Sequence, residues 1–439
     1  MSATTPGGEP PRPATDEQLP PVGGPLTGSP EQELPPPRQN VFIKELLRGS
    51  AVTTVLAILA AMVVGGILMA LTDEDVQAAA GYFFSRPTDT IGAIWNAVYG
   101  GYEALFRGSI FNPRAADFAA QIRPLTNTLG FAAPLIAAGL GVALAFRVGL
   151  FNIGGRGQIL VGAATAALLT FNLGLPMFLQ LPITLAAGIA GGAIWGGIVG
   201  ILKARTGAHE VILTIMLNYI AFYLVTWMVR TPGVLQRPAG DQPISAATPQ
   251  NAQFPALLGD RFPLLDWGFV IVLAATVFVW WLVERSSLGF RLRAVGENPH
   301  AAQAAGISVK RMYVYAMLFA GGLAGLAGMN QIQGAVTDGF DGLIDAGIGF
   351  DAITVALLGR SRAWGVFAAG ILFGALKAGS FTMQASQGVP VDIVLVVQAL
   401  IVLFIAAPPL IRTVFFLPKT PAEKAAKARA KAAKKAVTA

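Results

Sequence analysis

The sequence predicts an all-α polytopic membrane protein of about ten transmembrane helices, some of them discontinuous. Three observations lead there. Charged residues make up 13% of the 439 residues and hydrophobic ones 54%, against about 25% charged for a soluble domain. Apolar runs of membrane length recur along the chain. They are punctuated by Gly, of which there are 51, so several runs should break inside the bilayer. A water-soluble fold of this composition would have too apolar a surface to stay dispersed.

Residues 1–40 repeat Pro and Gly (Pro20-Pro21, Gly23-Gly24-Pro25, Pro35-Pro36-Pro37) and hold no apolar run. They cannot offset chain entropy and are expected to form a disordered arm. The first long run, 51–71, opens late and lacks a small-residue cleavage site, so it reads as a retained helix and not a signal peptide. The amphipathic stretch 90–106 reads as interfacial. Nine further runs follow, at 125–145, 157–171, 182–202, 211–229, 267–283, 312–332, 347–359, 363–381 and 391–411. Those opening near Gly157 and Gly347 are short or interrupted, the pattern of half-helices that stop at membrane depth. Residues 41–412 thus form the membrane domain, with a connecting loop at 285–311 and a basic tail at 413–439.

Charge gives the orientation. With the N-terminus inside, the inner side receives Arg147, Arg156, Lys203, Arg205, Arg285, Arg291, Arg293, Lys310, Arg311, Arg360, Arg362 and the basic tail. The outer side keeps Arg86, Arg107, Arg114, Arg123, Arg230, Arg237 and Arg261, and Lys377 falls inside a span. This is a positive-inside bias with both termini cytoplasmic. It also accounts for the net charge of +7 without nucleic acid. The outer segment 230–266 is rich in Pro and suits a surface that receives another protein more than a pre-formed pocket.

Chemistry is excluded largely by what is missing. The chain has no Cys and only His209 and His300, which leaves no thiolate or histidine metal cluster. There is no phosphate-binding Gly-x-x-x-x-Gly-Lys-Ser/Thr, no His-Glu-x-x-His and no Gly-x-Ser-x-Gly, so neither ATP hydrolysis nor another catalytic activity is expected of this chain, and no cofactor.

Two segments carry polar groups where the pattern is otherwise apolar. In Arg147-Val-Gly-Leu-Phe-Asn-Ile-Gly-Gly-Arg-Gly-Gln158, glycines free the backbone while Asn152 and Gln158 supply amides. Those amides face either a solute or their own helix end. In the cytoplasmic loop, Asn298 should cap and Pro299 open a short helix that Gly306 closes. Its Ala301 and Ala302 are small enough for close docking on a partner. An ordinary connecting loop is the alternative.

Taken together, Phe151-Asn-Ile-Gly-x-x-Gly-Gln158, Val295-Gly-Glu-Asn-Pro-x-Ala-Ala302 with Ala305-Gly-Ile307, and Gly349-Phe-Asp-Ala-Ile-Thr-Val-Ala-Leu-Leu-Gly359 resemble the integral membrane permeases of bacterial ABC importers. The branch is the one serving branched-chain amino acids, simple sugars and nucleosides. The Asn-Ile-Gly-x-x-Gly-Gln form is most similar to nucleoside permeases; sugar permeases usually show Asp-Leu-Ser-x-Gly there. Arg156 departs from the nucleoside form, which usually has an acidic residue at that place. The resemblance implies a membrane pathway shared with a second permease subunit, a paralogue. It also implies cytoplasmic ATP-binding subunits docked around Gly296, Glu297, Asn298, Pro299, Ala301, Ala302 and Gly306, and an outer solute-binding protein.

Within this frame Phe151, Asn152, Gln158, Phe350 and Asp351 are the candidates for the solute path, the two Phe as stacking surfaces. A simple-sugar importer is the nearest alternative. A proton- or sodium-coupled carrier would need buried carboxylates, of which Asp351 is the candidate. Gly154 to Ile159 and Gly347 to Ile353 both place Gly and a polar residue ahead of a short apolar helix. An inverted five-plus-five repeat and chance similarity both remain open as explanations.

Overall fold

Over the described residues, each apolar run falls on a helix. The computed structural model describes residues 50–238 and 242–406; the arm 1–40 and the tail 413–439 lie outside the described residues. In chain order the helices are α1 (Ser50–Thr72), α2 (Glu74–Ala80), α3 (Pro87–Ser109), α4 (Phe118–Arg147), α5 (Gly155–Leu173), α6 (Met177–Thr206), α7 (Glu210–Arg230) and α8 (Trp267–Arg285). Then come α9 (Ser287–Glu297), α10 (Pro299–Ala304), α11 (Val309–Asn330), α12 (Ile348–Leu358), α13 (Ala363–Gln387) and α14 (Val391–Ala406). Among the described residues, strand pairing amounts to two isolated bridges, Gln236 with Ser245 and Ala256 with Asp266.

Seven described helices are long and apolar enough to cross a membrane: α1, α4, α6, α7, α8, α11 with the π-turn that extends it, and α13. The apolar α12 and α14 are shorter. This is an all-α multi-pass membrane protein. Its centre is α4, whose window is 78% buried inside the chain, while that of α7 is 22% buried. Leu135, Ile136, Leu140 and Leu144 of α4 are almost wholly enclosed. α4, α11, α12 and α13 share this core.

The tightest seam joins α6 to α11. Gly188, Gly192, Gly196 and Gly200 recur every fourth residue, so they line one face of α6. A Cβ on Gly192 would run into the carbonyl oxygen of Gly321, one on Gly196 into that of Met317, and one on Gly325 into that of Gly188. Backbone therefore meets backbone. In a bilayer, where no hydrophobic effect drives helices together, close approach through small residues is the main source of packing energy.

The amphipathic α3 packs its small residues on α1 and α13. Thr90, Ala97, Gly101, Ala104 and Gly108 form a buried stripe of small residues, and this lets the second half of α3 pack inward. Gly66 of α1 lies against Val98, Gly101 against Met69 and Met383, and Gly379 of α13 against Leu105. The Tyr102 hydroxyl donates to the Met62 carbonyl.

Opposite the basic ends of α6 and α8, the segment between α7 and α8 folds onto the π-turn Gln331–Ala335 and the residues after it. The amide of Phe254 donates to the Gln333 carbonyl at 2.8 Å, that of Thr248 to Thr337 at 2.8 Å, and that of Ser245 to Phe340 at 2.8 Å. Asp266 caps α8 by accepting from Gly268 N–H at 2.8 Å. It is buried, and burial raises its carboxyl pKa to about 7. Between roughly pH 4 and 7 the folded chain holds a proton there that the unfolded chain has lost. Stability should therefore fall as pH rises through that window and level off above it. Thermal unfolding of the purified protein at pH 5 and pH 8 measures this, and Asp266→Asn, which keeps the cap, should flatten the difference. An unchanged slope in the variant would remove Asp266 as its source.

Candidate functional site

Two broken helices meet inside the bundle. After α4 the chain turns at Gly149, whose φ of +78° suits a residue without Cβ. It then runs without regular structure through Leu150–Ile153 before α5 starts. Gly157 stands beside Trp195 and Gln158 beside Gly196. α5 thus begins about 15 Å short of the basic end of α6, at 1.5 Å per residue. α12 begins where α5 does: a Cβ on Gly155 would lie 2.9 Å from the Gly349 carbonyl oxygen, and one on Gly349 would strike the backbone of Arg156. From this junction α12 runs toward the basic end, its Val355 against Gly139 of α4 and its terminal Gly359 against Gly365.

The amides of the break satisfy the break. Asn152 Nδ2 donates to Gln158 Oε1 at 3.2 Å and Gln158 Nε2 donates to Asn152 Oδ1 at 3.3 Å. Asn152 Oδ1 also accepts from Gly154 N–H at 2.9 Å. Both side chains are 1% exposed. A residue from another helix completes the cap: Asn218 of α7 accepts from Gly157 N–H at 2.8 Å and donates to the Ile153 carbonyl at 3.0 Å. The first N–H groups of a helix have no partner within it, and at membrane depth leaving them bare is costly. Asn218 is the residue that sequence reasoning missed; its signal is a lone amide in an apolar span.

Charge gathers at the same junction. Arg156 Nε lies 3.2 Å from Asp345 Oδ1, and its guanidinium sits 5.2 Å from the centre of the Phe222 ring, a cation–π arrangement. Arg156 is therefore not at the inner end of a span, where charge counting put it, but at the break itself. Asp345 precedes Ala346 and Gly347, both with positive φ (45° and 81°), and its carbonyl accepts from Ile348 N–H at 2.7 Å. Asp351 of α12 has Lys377 of α13 and Asp345 as charged neighbours. Phe350 is 50% and Phe151 42% exposed. The Phe151 ring stacks on Phe146, 5.1 Å apart and 20° from parallel. Asn152 and Gln158 are thus brought together, Asp351 joins Asp345 and Lys377, and the two exposed Phe do not stack on each other.

At the basic end the loop folds as its residues indicate. Asn298 accepts from the amides of His300 and Ala301 at 3.0 Å each, Pro299 opens α10, and Gly306 adopts φ +81°. The amides of Gly306 and Ile307 donate to the carbonyls of Gln303 and Ala302, each at 3.0 Å, which is a Schellman closure. Gly296 packs on the end of α4, leaving no room for a Cβ beside the Arg147 carbonyl. Ala302 is 4% exposed and points into the chain. Glu297, Ala301, Ala304 and Ala305 are exposed.

Several membrane-length helices surround two that start inside the bundle and meet by their N-termini, so irregular backbone is enclosed by protein, an arrangement that suits a transport component of the membrane. The chain belongs to the family of branched-chain amino acid transport system permease components, whose profile matches residues 125–406. It is a permease, not an enzyme. A guanosine ABC transporter permease of Bacillus subtilis is 37% identical over 82% of this chain and 94% of its own. A nucleoside ABC transporter permease of Lactococcus lactis is 36% identical over 79% of this chain and 94% of its own. A glucose ABC transporter permease of Haloferax volcanii is 33% identical over 80% of this chain and 86% of its own. No solved structure matches the chain.

Proposed function

We propose that this chain is the membrane-spanning permease subunit of an ATP-binding cassette importer that moves a nucleoside across the cytoplasmic membrane, driven by ATP hydrolysis in partner subunits. The observation that carries a path through the helix breaks is Arg156. Its side chain is 27% exposed about 15 Å in from the basic end of the bundle, at 1.5 Å per residue, and a cation there cannot face lipid without a large cost. It faces water or a second permease subunit. The two relatives that transport guanosine or nucleosides by name support the solute class. The glucose permease favours a sugar as the second reading. Asp351, with Lys377 as its charged neighbour, is poorly suited to act as the free carboxylate of a gradient-driven carrier.

In this reading the ten helices α1, α4 to α8 and α11 to α14 cross the membrane, with α5 and α12 as half-helices of an inverted five-plus-five pair. Their head-to-head meeting supports the inversion. The basic end and both termini are cytoplasmic. An outer solute-binding protein delivers solute to the segment before α8, and a paralogous permease completes the path. Phe151, Phe350 and Asp351 lie beside the route, while Asn152 and Gln158 shape it by holding the break.

Reconstitution of the assembled importer in proteoliposomes tests the solute. ATP-dependent uptake of labelled guanosine or uridine, uncompeted by glucose and ribose, is expected; uptake of the sugars alone would overturn the nucleoside reading. Docking of the ATP-binding subunits involves α9 and α10, with Glu297 and Ala301 outward and Gly296, Asn298, Pro299, Ala302 and Gly306 shaping the turn. Ala301→Arg should cut co-purification of those subunits about tenfold, a loss of roughly 1.4 kcal/mol, with folding intact. Ala302→Arg should lower thermal stability first. Unchanged complex yield with Ala301→Arg would remove this face from the contact.

A further inference from the structure

We propose that Asp345 sets the passage for uncharged solutes, by cancelling Arg156 at the helix junction and so denying a site to phosphorylated or otherwise anionic forms. The inference rests on the reading that solute passes this junction, and it adds a selectivity residue to it.

The junction is intrinsically attractive to anions. Two helix N-termini converge on it, each carrying partial positive charge, and Arg156, in the first turn of α5, adds a full one beside Asp345 and Phe222. Arg156 is partly exposed while Asp345 is 4% exposed, so the cation has the open side and the carboxylate the closed side. Asp345 holds Arg156 at 3.2 Å, and its charge also acts on Asp351 and Lys377. The Arg156 charge is thus offset by Asp345, while Asp351 has Lys377 as its opposite charge. A neutral solute with ring nitrogens and hydroxyls loses nothing at such a site. An anion meets no net attraction to offset its desolvation.

The neutral pair also accounts for the departure at this position. A cation alone would favour phosphate-bearing solutes. With its partner it offers instead a planar face against Phe222, 5.2 Å from the ring centre, beside which a base can lie.

The test uses the full chain, assembled with its partner subunits in nanodiscs of zwitterionic lipid, and two probes: labelled guanosine 5′-monophosphate and inorganic phosphate as its competitor. Asp345→Asn and Asp345→Ser remove the charge and keep a side-chain oxygen able to accept a hydrogen bond, so at least one should assemble. Either is expected to bind the monophosphate about tenfold more tightly than the parent, from local concentration of counter-ions. Phosphate should displace it, and the gain should shrink at high salt. Asp345→Glu should behave as the parent, and Arg156→Gln combined with Asp345→Asn should erase the gain. A purely structural role for Asp345 would give destabilised protein with no Arg156-dependent anion binding, and that result overturns the proposal. So does a gain that survives loss of Arg156. Guanosine uptake by the parent is measured in parallel: its absence would refute the nucleoside reading while leaving the anion result to stand or fall alone.

Discussion

Gly321→Ala should cost about 3 kcal/mol of stability, the upper end of overpacking, whereas its neighbour Gly322→Ala should change stability by less than about 1 kcal/mol. The two glycines differ only in what a methyl group would meet. At Gly321 it runs into the carbonyl oxygen of Gly192, and backbone on backbone cannot rotate away. At Gly322 it comes 3.3 Å from Ile189 Cγ2, the end of a side chain that can move. Thermal unfolding of the two variants in the same detergent decides the matter; equal melting temperatures would mean that the α6–α11 seam is looser than described.

Asn218→Leu should be nearly as damaging, through a different route. It strands the Gly157 amide and the Ile153 carbonyl at membrane depth, each unsatisfied group costing about 1–3 kcal/mol. The loss falls on the segment proposed to shape the path, so uptake should fall further than protein yield. Hydrogen exchange over residues 150–158 is expected to quicken in the variant. Parent-like protection there would show that Asn218 is dispensable for the break.

Most of the architecture was legible because burial in a bilayer makes apolar runs and helices nearly the same thing. The breaks at Gly154 and Gly347 and the cap at Asn298 were legible too, since Gly and Asn have few other uses in those positions. What was not legible depends on pairs of residues far apart in sequence. Asn152 and Gln158 carry the same signal whether they bind solute or each other, and only their mutual hydrogen bonds distinguish the two. Arg156 counted as an inner-side charge because position along the chain does not reveal that a helix starts inside the bundle. Asp345 lies outside every apolar run, so nothing local tied it to Arg156. Ala301 and Ala302 are identical as residues, yet one faces out and the other in.

The glycine face of α6 also constrains the order in which the chain assembles. Gly192 and Gly321 are brought together from distant parts of the sequence, and at typical synthesis rates α11 emerges on the order of ten seconds after α6. Through that interval α6 presents a shallow furrow that lipid chains line. α5 is already at hand, and Gly191 of α6 rests against Thr165 while Gly188 rests against Ala166. The α5–α6 hairpin can thus form before α11 arrives to close the seam. In ribosome-bound chains halted after α7, cysteines at positions 165 and 191 should already crosslink, while packing of α11 on the glycine face of α6 must await synthesis of the later helices.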